Sequence, residues 1–251
     1  MNVLVCVKRV PLTGGRIVLT DDGRAIQTRH LGFTVSPHEE CGAEEAVRLI
    51  EQHGGSSAVL TLGPPEAEEQ LRDLMAIGVD RGVHLVTDGA EWDAQATAAA
   101  IVEAIRAQPE PFDLILFGNE SADAGNYQVA IRVAHALGLP CVTGVKAISI
   151  DGGEVRCEQE VADGRDVYRA AMPAVVTVKE GINLPRYPSV PGRLRAKRKP
   201  VDTISPTPAD ARLEMVTLKL PPATGKHALI LGHGPEAAPG VVEVLTEIGV
   251  L

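Results

Sequence analysis

The sequence predicts an α/β fold, a doubly wound and mostly parallel sheet, with an antiparallel meander and an extended C-terminal arm. Three observations lead there. Short apolar runs alternate four times with amphipathic helical patterns, about 25–30 residues apart, the spacing of βα units. The chain is 45% hydrophobic but only 3% aromatic, so its core must be built from Val, Leu, Ile and Ala, as parallel sheets usually are. After Pro140 the pattern changes to β-rich pieces joined by Asp151-Gly152-Gly153 and Asp163-Gly164, which are hairpin turn sequences.

Taken in order, Asn2–Val7 reads as a buried strand that Lys8-Arg9-Val10-Pro11 leaves through a proline-fixed turn. Arg16–Gln27 reads as a hairpin around Asp21-Asp22-Gly23. Ser36-Pro37 opens a helix with serine as N-cap, and Ala43, Ala46, Val47 and Ile50 recur on one face before Gly54-Gly55 ends it. Ala58–Leu62 is a second strand, broken by Gly63-Pro64-Pro65, and Glu66–Ile77 follows as an amphipathic helix. Val83–Val86 and Leu114–Phe117 are further strands, each followed by a helix, at Trp92–Ala107 and Ala124–Leu137. Val142–Ile150, Val155–Val161 and Val167–Ala171 form the meander, and Ala174–Val178 is apolar enough to re-enter the main sheet. Thr203–Pro208 reads as a linker, Leu213–Leu220 as a strand and Pro239–Ile248 as a terminal helix. Residues 1–200 are expected to form the nucleotide-binding α/β domain and 201–251 an arm that packs on a partner subunit.

Composition removes several function classes. The net charge of −9 conceals a basic segment, residues 186–199, with six cations and no acid, so the rest of the chain is strongly acidic. Such a body does not suit a nucleic-acid binder. No apolar run approaches the roughly 18–20 residues of a spanning helix, and membrane insertion is not expected. Cys6, Cys41, Cys141 and Cys157 form no CxxC pair, and with no signal peptide they are read as reduced thiols of a cytoplasmic protein. The seven histidines show no HxH or HxxxH spacing, which argues against a metal site. Neither a P-loop nor a GxSxG elbow occurs. Gly232-His233-Gly234-Pro235-Glu236-Ala237 imitates a dinucleotide fingerprint, but too little chain follows it for a βαβ unit.

The stretch that can carry chemistry runs from Gly118 to Val129. A strand breaks at Gly118, a polar loop follows, and a helix begins, so unpaired N–H groups and a positive dipole end meet at the sheet edge where ligands bind. Glu120, Ser121, Asp123, Asn126 and Gln128 surround that helix start and suit ribose and phosphate. Asp123 also fits a plain helix cap, and the two roles are compatible. This makes the sheet one of the adenine-nucleotide-binding type.

Asn183-Leu184-Pro185-Arg186-Tyr187-Pro188, then Val190-Pro191 and a Lys/Arg run, resembles the β subunit of electron transfer flavoproteins. Val5-Cys6-Val7-Lys8-Arg9-Val10, Ala43–Leu49, Leu62-Gly63-Pro64, Ala76–Gly82 and Pro173–Thr177 add to the resemblance, in order over nearly the whole chain. The resemblance implies an electron carrier subunit rather than a stand-alone enzyme. It implies pairing with an α subunit that holds most of a FAD, and burial of AMP, or of a second FAD in bifurcating members, in this chain. By position the nucleotide contacts fall on Cys6, on Ser36, Pro37, His38 and Glu39, on Leu62, and on Gly118, Asn119, Glu120, Ser121, Ala122, Asp123, Gly125, Asn126, Gln128 and Val129.

By the same resemblance, Arg186, Tyr187, Pro188, Val190 and Pro191 belong to a docking loop with Val190 at its tip. The loop serves flavin dehydrogenases such as acyl-CoA dehydrogenases, with a quinone reductase or another acceptor downstream, and Glu160 faces the mobile flavin domain of α. The chain departs from the family pattern at Asn119-Glu120, at Gln159 and Ala162, and at Pro11–Thr13, where an aromatic near the flavin has no counterpart. A regulatory or stress protein that binds adenine nucleotides without redox chemistry would explain Gly118–Val129, but not Asn183–Lys199. An adenylating enzyme would need a pyrophosphate-binding loop that the sequence lacks.

Overall fold

A computed structural model describes residues 1–12, 14, 17–222 and 228–251. Thr13 and Arg16, expected beside the flavin and at the start of the hairpin, lie outside them. The described residues form two compact units, Met1–Val216 and Thr217–Leu251.

In the first unit the chain runs β1 (Asn2–Val7), β2 (Arg9–Pro11), β3 (Phe33–Val35), α1 (Pro37–His53), β4 (Ser56–Gly63), α2 (Glu68–Ile77), β5 (Arg81–Val86), α3 (Ala94–Arg106), β6 (Leu114–Gly118) and α4 (Val129–Leu137). It continues through β7 (Cys141–Asp151), β8 (Glu154–Val161), β9 (Gly164–Ala171), β10 (Ala174–Val178), α5 (Val190–Ala196) and β11 (Val201–Ile204). Nine strands form one sheet in the order β11-β5-β4-β1-β6-β10-β7-β8-β9. All pairings from β11 to β7 are parallel, while β7–β8 and β8–β9 are antiparallel. The expected fold class is therefore the observed one, with the meander as its antiparallel extension and β10 returned to the middle of the sheet.

Alternate residues of the central strands serve opposite layers, which is why these runs need no polar positions. Val3, Val5, Leu114, Leu116, Val176 and Val178 pack with Ala43, Ala46 and Val47 of α1 and with Leu71, Leu74 and Met75 of α2. Leu4, Cys6, Leu60, Ile115, Phe117 and Val175 pack with Ile101 and Val102 of α3 and with Ala130, Val133 and Ala134 of α4. Burying each large aliphatic side chain contributes about 1.5–3 kcal/mol, so both layers are substantial.

Several element boundaries differ from the sequence reading. The fourth helix starts at Val129 rather than Ala124, because Gly125 (φ 55°) and Tyr127 (φ 56°) lie in the left-handed region and interrupt a right-handed helix. Among the described residues the Asp21–Gly23 turn closes one antiparallel bridge, Leu19 to Ile26, while β2 pairs with β3 beyond it. Thr203 and Ile204, expected in the linker, instead end the edge strand Val201–Ile204 beside β5. Leu213–Leu220 has no strand structure. In the second unit the one α-helix among the described residues is α6 (Ala238–Glu247), one residue earlier at each end than the sequence suggests.

Candidate functional site

From β1 the chain winds outward through β4 and β5, then returns to lay β6 on the other side of β1. The loops after β1 and β6 therefore lie at the carboxyl edge where the strand order reverses, the crevice position at which ligands usually bind in such sheets. Cys6 lies in register with Leu60 on one side and Phe117 on the other. It is 4% exposed, and burial pushes its thiol well above the usual range, so it serves as an apolar wall rather than a nucleophile. Leu62 sits near the end of β4, in register with Leu85.

The N-terminus of α1 enters this crevice. Ser36 occupies the N-cap position with Pro37 behind it, but its hydroxyl does not cap the helix. Ser36 Oγ instead accepts the N–H of Ala122 at 2.9 Å and pins the loop after β6. Gly118 is pressed against the same helix turn: a Cβ there would lie 2.6 Å from Glu39 Cγ and 3.2 Å from both Glu39 N and His38 Cβ. His38 Nδ1 is buried and has no partner within the described residues.

Glu39 is 6% exposed, and its Oε2 accepts the N–H of Lys8 at 2.9 Å. Burial pushes the Glu39 carboxyl up to about 8, against the opposing effect of that N–H and of the Lys8 charge. Lys8 Nζ reaches Asp123 Oδ2 at 2.8 Å and also pairs with Glu91. Burial works to raise Asp123, but the Lys8 ammonium outweighs it and holds that carboxyl below its ordinary value. Lys8 therefore ties β1, α1 and the β6 loop together, a role the sequence reading missed. The one signal available was the Lys8-Arg9 pair of cations directly after the first strand.

In the loop, Asn119 turns toward β10. Its N–H donates to Val178 O at 2.9 Å and its Oδ1 accepts from Thr177 Oγ1 at 2.8 Å, which makes it part of the scaffold. Asp123 does not cap α4; its Oδ1 accepts the N–H of Ala124. The Gly125 N–H donates to Ser121 O at 3.1 Å. Gln128 stands at the N-cap of α4 without capping it, since its Oε1 accepts from Arg132 instead. No acid lies in the first turn. The amide donors of that turn, Val129 among them, therefore have no capping side chain and face the carboxyl edge beside Asn126.

The structure thus brings together Cys6, Ser36–Glu39, Gly118 and Ala122–Asp123, with Leu62 on the adjoining strand. It places Glu160 elsewhere, on the meander, 3.9 Å from Lys146. An apolar recess of about 300 Å³, lined by Ile105, Phe112, Leu137 and Pro173 among others, lies at the opposite, amino-terminal edge of the sheet. Among the described residues no group of His, Cys, Asp and Glu is arranged to hold a metal ion.

A second feature lies outside the crevice. Asn183–Ser189 has no regular structure and leads into α5, whose N-terminus is capped by Ser189 Oγ at 3.1 Å from Gly192 N. Tyr187 is 96% exposed, Leu184 90%, Val190 73% and Leu194 60%, an apolar row too exposed to serve the fold. In the basic run Arg193, Arg195, Lys197 and Arg198 are exposed, and only Lys199 turns inward. Arg72 donates to Ala196 O and Lys199 O, and Lys199 Nζ to Met75 O and Val79 O, which fastens α5 to the end of α2.

A family model described as "Electron transfer flavoprotein domain" matches residues 25–209. The chain belongs to the electron transfer flavoprotein family. It is 34% identical over 254 residues to the "Electron transfer flavoprotein subunit beta" of Bacillus subtilis, covering 98% of this chain and 97% of that protein. The protein of the same name from Syntrophomonas wolfei is 36% identical over 224 residues, covering 89% and 87%. The human protein of that name is 30% identical over 255 residues, covering 99% and 98%. The family resemblance read from Asn183–Lys199 and the flanking motifs is thereby borne out. Among the described residues, no helix of this family member is long and apolar enough to cross a membrane.

Proposed function

We propose that this chain is the β subunit of a heterodimeric electron transfer flavoprotein. It grips an adenosine moiety in the β1/β6 crevice and presents the Leu184–Leu194 surface to flavin dehydrogenases such as acyl-CoA dehydrogenases. Electrons pass on to a quinone reductase or another acceptor. The companion α subunit holds most of the FAD, and flavin supplies the electron-transfer chemistry when bound. This chain binds and orients; none of its side chains is required as an acid, base or nucleophile. The crevice is assigned AMP, with the adenosine half of a second FAD as the form expected of a bifurcating protein.

One observation carries the nucleotide reading: the crevice offers uncapped amide donors at the start of α4 while its carboxylates are already engaged. Glu39 is bonded by Lys8 N–H and Asp123 by Lys8 Nζ. Such an edge favours a phosphate, and the orphaned His38 Nδ1 offers a further polar contact. Cys6 and Leu62 supply the apolar wall for a base, with Ser36 and Ala122 fixing the loop over it. In the cell the complex is placed in the cytoplasm.

The test is to co-express the chain with an electron transfer flavoprotein α subunit from the same genome, denature the coloured complex, and analyse the supernatant by mass spectrometry. One equivalent of AMP beyond the flavin supports the reading, and two equivalents of FAD support the bifurcating form. A colourless single chain that releases no purine refutes it, and ATP hydrolysis by such a chain would favour a regulatory protein.

A further inference from the structure

The exposed apolar row belongs to a segment with little backbone support. Residues 183–189 lie in no strand or helix, so side-chain tethers must hold them. Asn183 Nδ2 donates to Cys41 O at 3.0 Å and to Glu45 Oε2 at 2.9 Å. On the far side, Gly192 sits so close to α2 that a Cβ would lie 2.4 Å from Ala76 O. Between these anchors one residue reaches back. Arg186 donates Nε and Nη2 to Glu44, at 2.9 and 3.0 Å, and Nη1 and Nη2 to Glu51, at 2.6 and 3.0 Å. Its backbone N–H adds a bond of 3.1 Å to Glu44 Oε2.

The chemistry makes this a committed contact. The Glu44 side chain is only 5% exposed, and Arg48, at 4.0 Å, is too distant to satisfy it. A buried carboxylate without its cation is costly, so Arg186 is held where Glu44 is. A planar guanidinium bonded along two edges also fixes direction, which a lysine could not do. Tyr187, the adjoining residue, is thereby aimed outward, with Leu184 and Val190 set on either side.

We infer that Arg186, clamped between Glu44 and Glu51 of α1, is a positioning residue that pre-shapes the Leu184–Leu194 surface for its partner. The inference rests on the docking role proposed above. An ordered surface loses less conformational freedom on docking, so releasing the clamp weakens encounter rather than electron transfer within the complex. It also means that the guanidinium itself is spent inside the chain and does not touch the dehydrogenase.

The test uses the intact two-subunit flavoprotein and a flavin dehydrogenase, with KM for the flavoprotein and the limiting rate measured separately. Arg186→Met is expected to raise KM about tenfold at an unchanged limiting rate and flavin content, with Arg186→Lys in between; tenfold is the order for re-ordering one or two side chains at docking. The double variant Glu44→Gln/Glu51→Ala, which frees Arg186 and keeps its charge, is expected to raise KM similarly. An unchanged or lowered KM in that double variant would mean that Arg186 acts on the partner directly, and overturns the inference. Val190→Glu separates the two readings. If it raises KM while Arg186→Met does not, the clamp fails and docking stands; if neither moves KM, docking fails and the clamp with it. Should Arg186→Met lose flavin or fail to pair, the double variant Glu44→Gln/Glu51→Ala decides by the same KM criterion, since it keeps the volume of buried Glu44 and removes only the 57% exposed Glu51.

Discussion

Gly118→Ala is the sharpest probe of how the crevice is built. The added methyl carbon would lie 2.6 Å from Glu39 Cγ, where ordinary contact begins near 3.4 Å, so about 0.8 Å must be recovered by movement. Gly118 lies outside the left-handed region, so backbone strain plays no part. The obstacle is also not a free side-chain tip. Glu39 is buried, its Oε2 is held by the Lys8 N–H, and the second and third neighbours are Glu39 N and His38 Cβ on the first turn of α1. Overpacking of this kind costs about 1–3 kcal/mol. If Glu39 swings away, the lost Lys8 bond adds about 1 kcal/mol. Denaturant unfolding of the two-subunit complex at fixed pH should show the loss as a lower midpoint with an unchanged slope. Nucleotide released on denaturation should fall below one equivalent, because displaced α1 carries Ser36 and His38 with it. A variant with the parent midpoint and full nucleotide would refute this account of the site.

Two other perturbations check separate parts. Burial raises Glu39 from 4.5 to about 8, so the folded state holds a proton that the unfolded state releases. Stability should therefore decline as pH climbs from about 4.5 through about 8, and the Glu39→Gln complex should lack that component; a parallel pair of pH–stability curves would refute it. Truncation after Val216 should abolish pairing with the α subunit while the first unit still folds, as read by size-exclusion chromatography and circular dichroism. The cut belongs there and not at Thr203, because β11 is a strand of the main sheet. Pairing by the truncated chain would exclude the tail as the contact.

Much of the architecture was legible in the order of residues because burial periodicity is local. Asn2–Val7, Leu114–Phe117 and Ala174–Val178 announce strands covered on both faces, and Ala43, Ala46 and Val47 mark the inward stripe of α1 whatever lies beneath it. The crevice was legible for a similar reason: a glycine that breaks a strand ahead of a polar loop and a helix carries the pattern in one stretch. The family motif at Asn183–Lys199 was equally compact.

Tertiary structure alone decided which polar groups meet. Ser36 looked like a cap until Ala122, 86 residues on, took its hydroxyl. Lys8 had no visible purpose until β1, α1 and the β6 loop converged on it. Arg186 read as an outward cation until Glu44, 142 residues earlier, claimed it, and Thr203–Ile204 read as linker until β5 offered an open edge. An apolar side chain is satisfied by any close-packed neighbour, so its own spacing foretells its fate. A hydrogen bond or ion pair needs one partner at one distance and angle, and that partner is supplied only when distant strands have fixed their register.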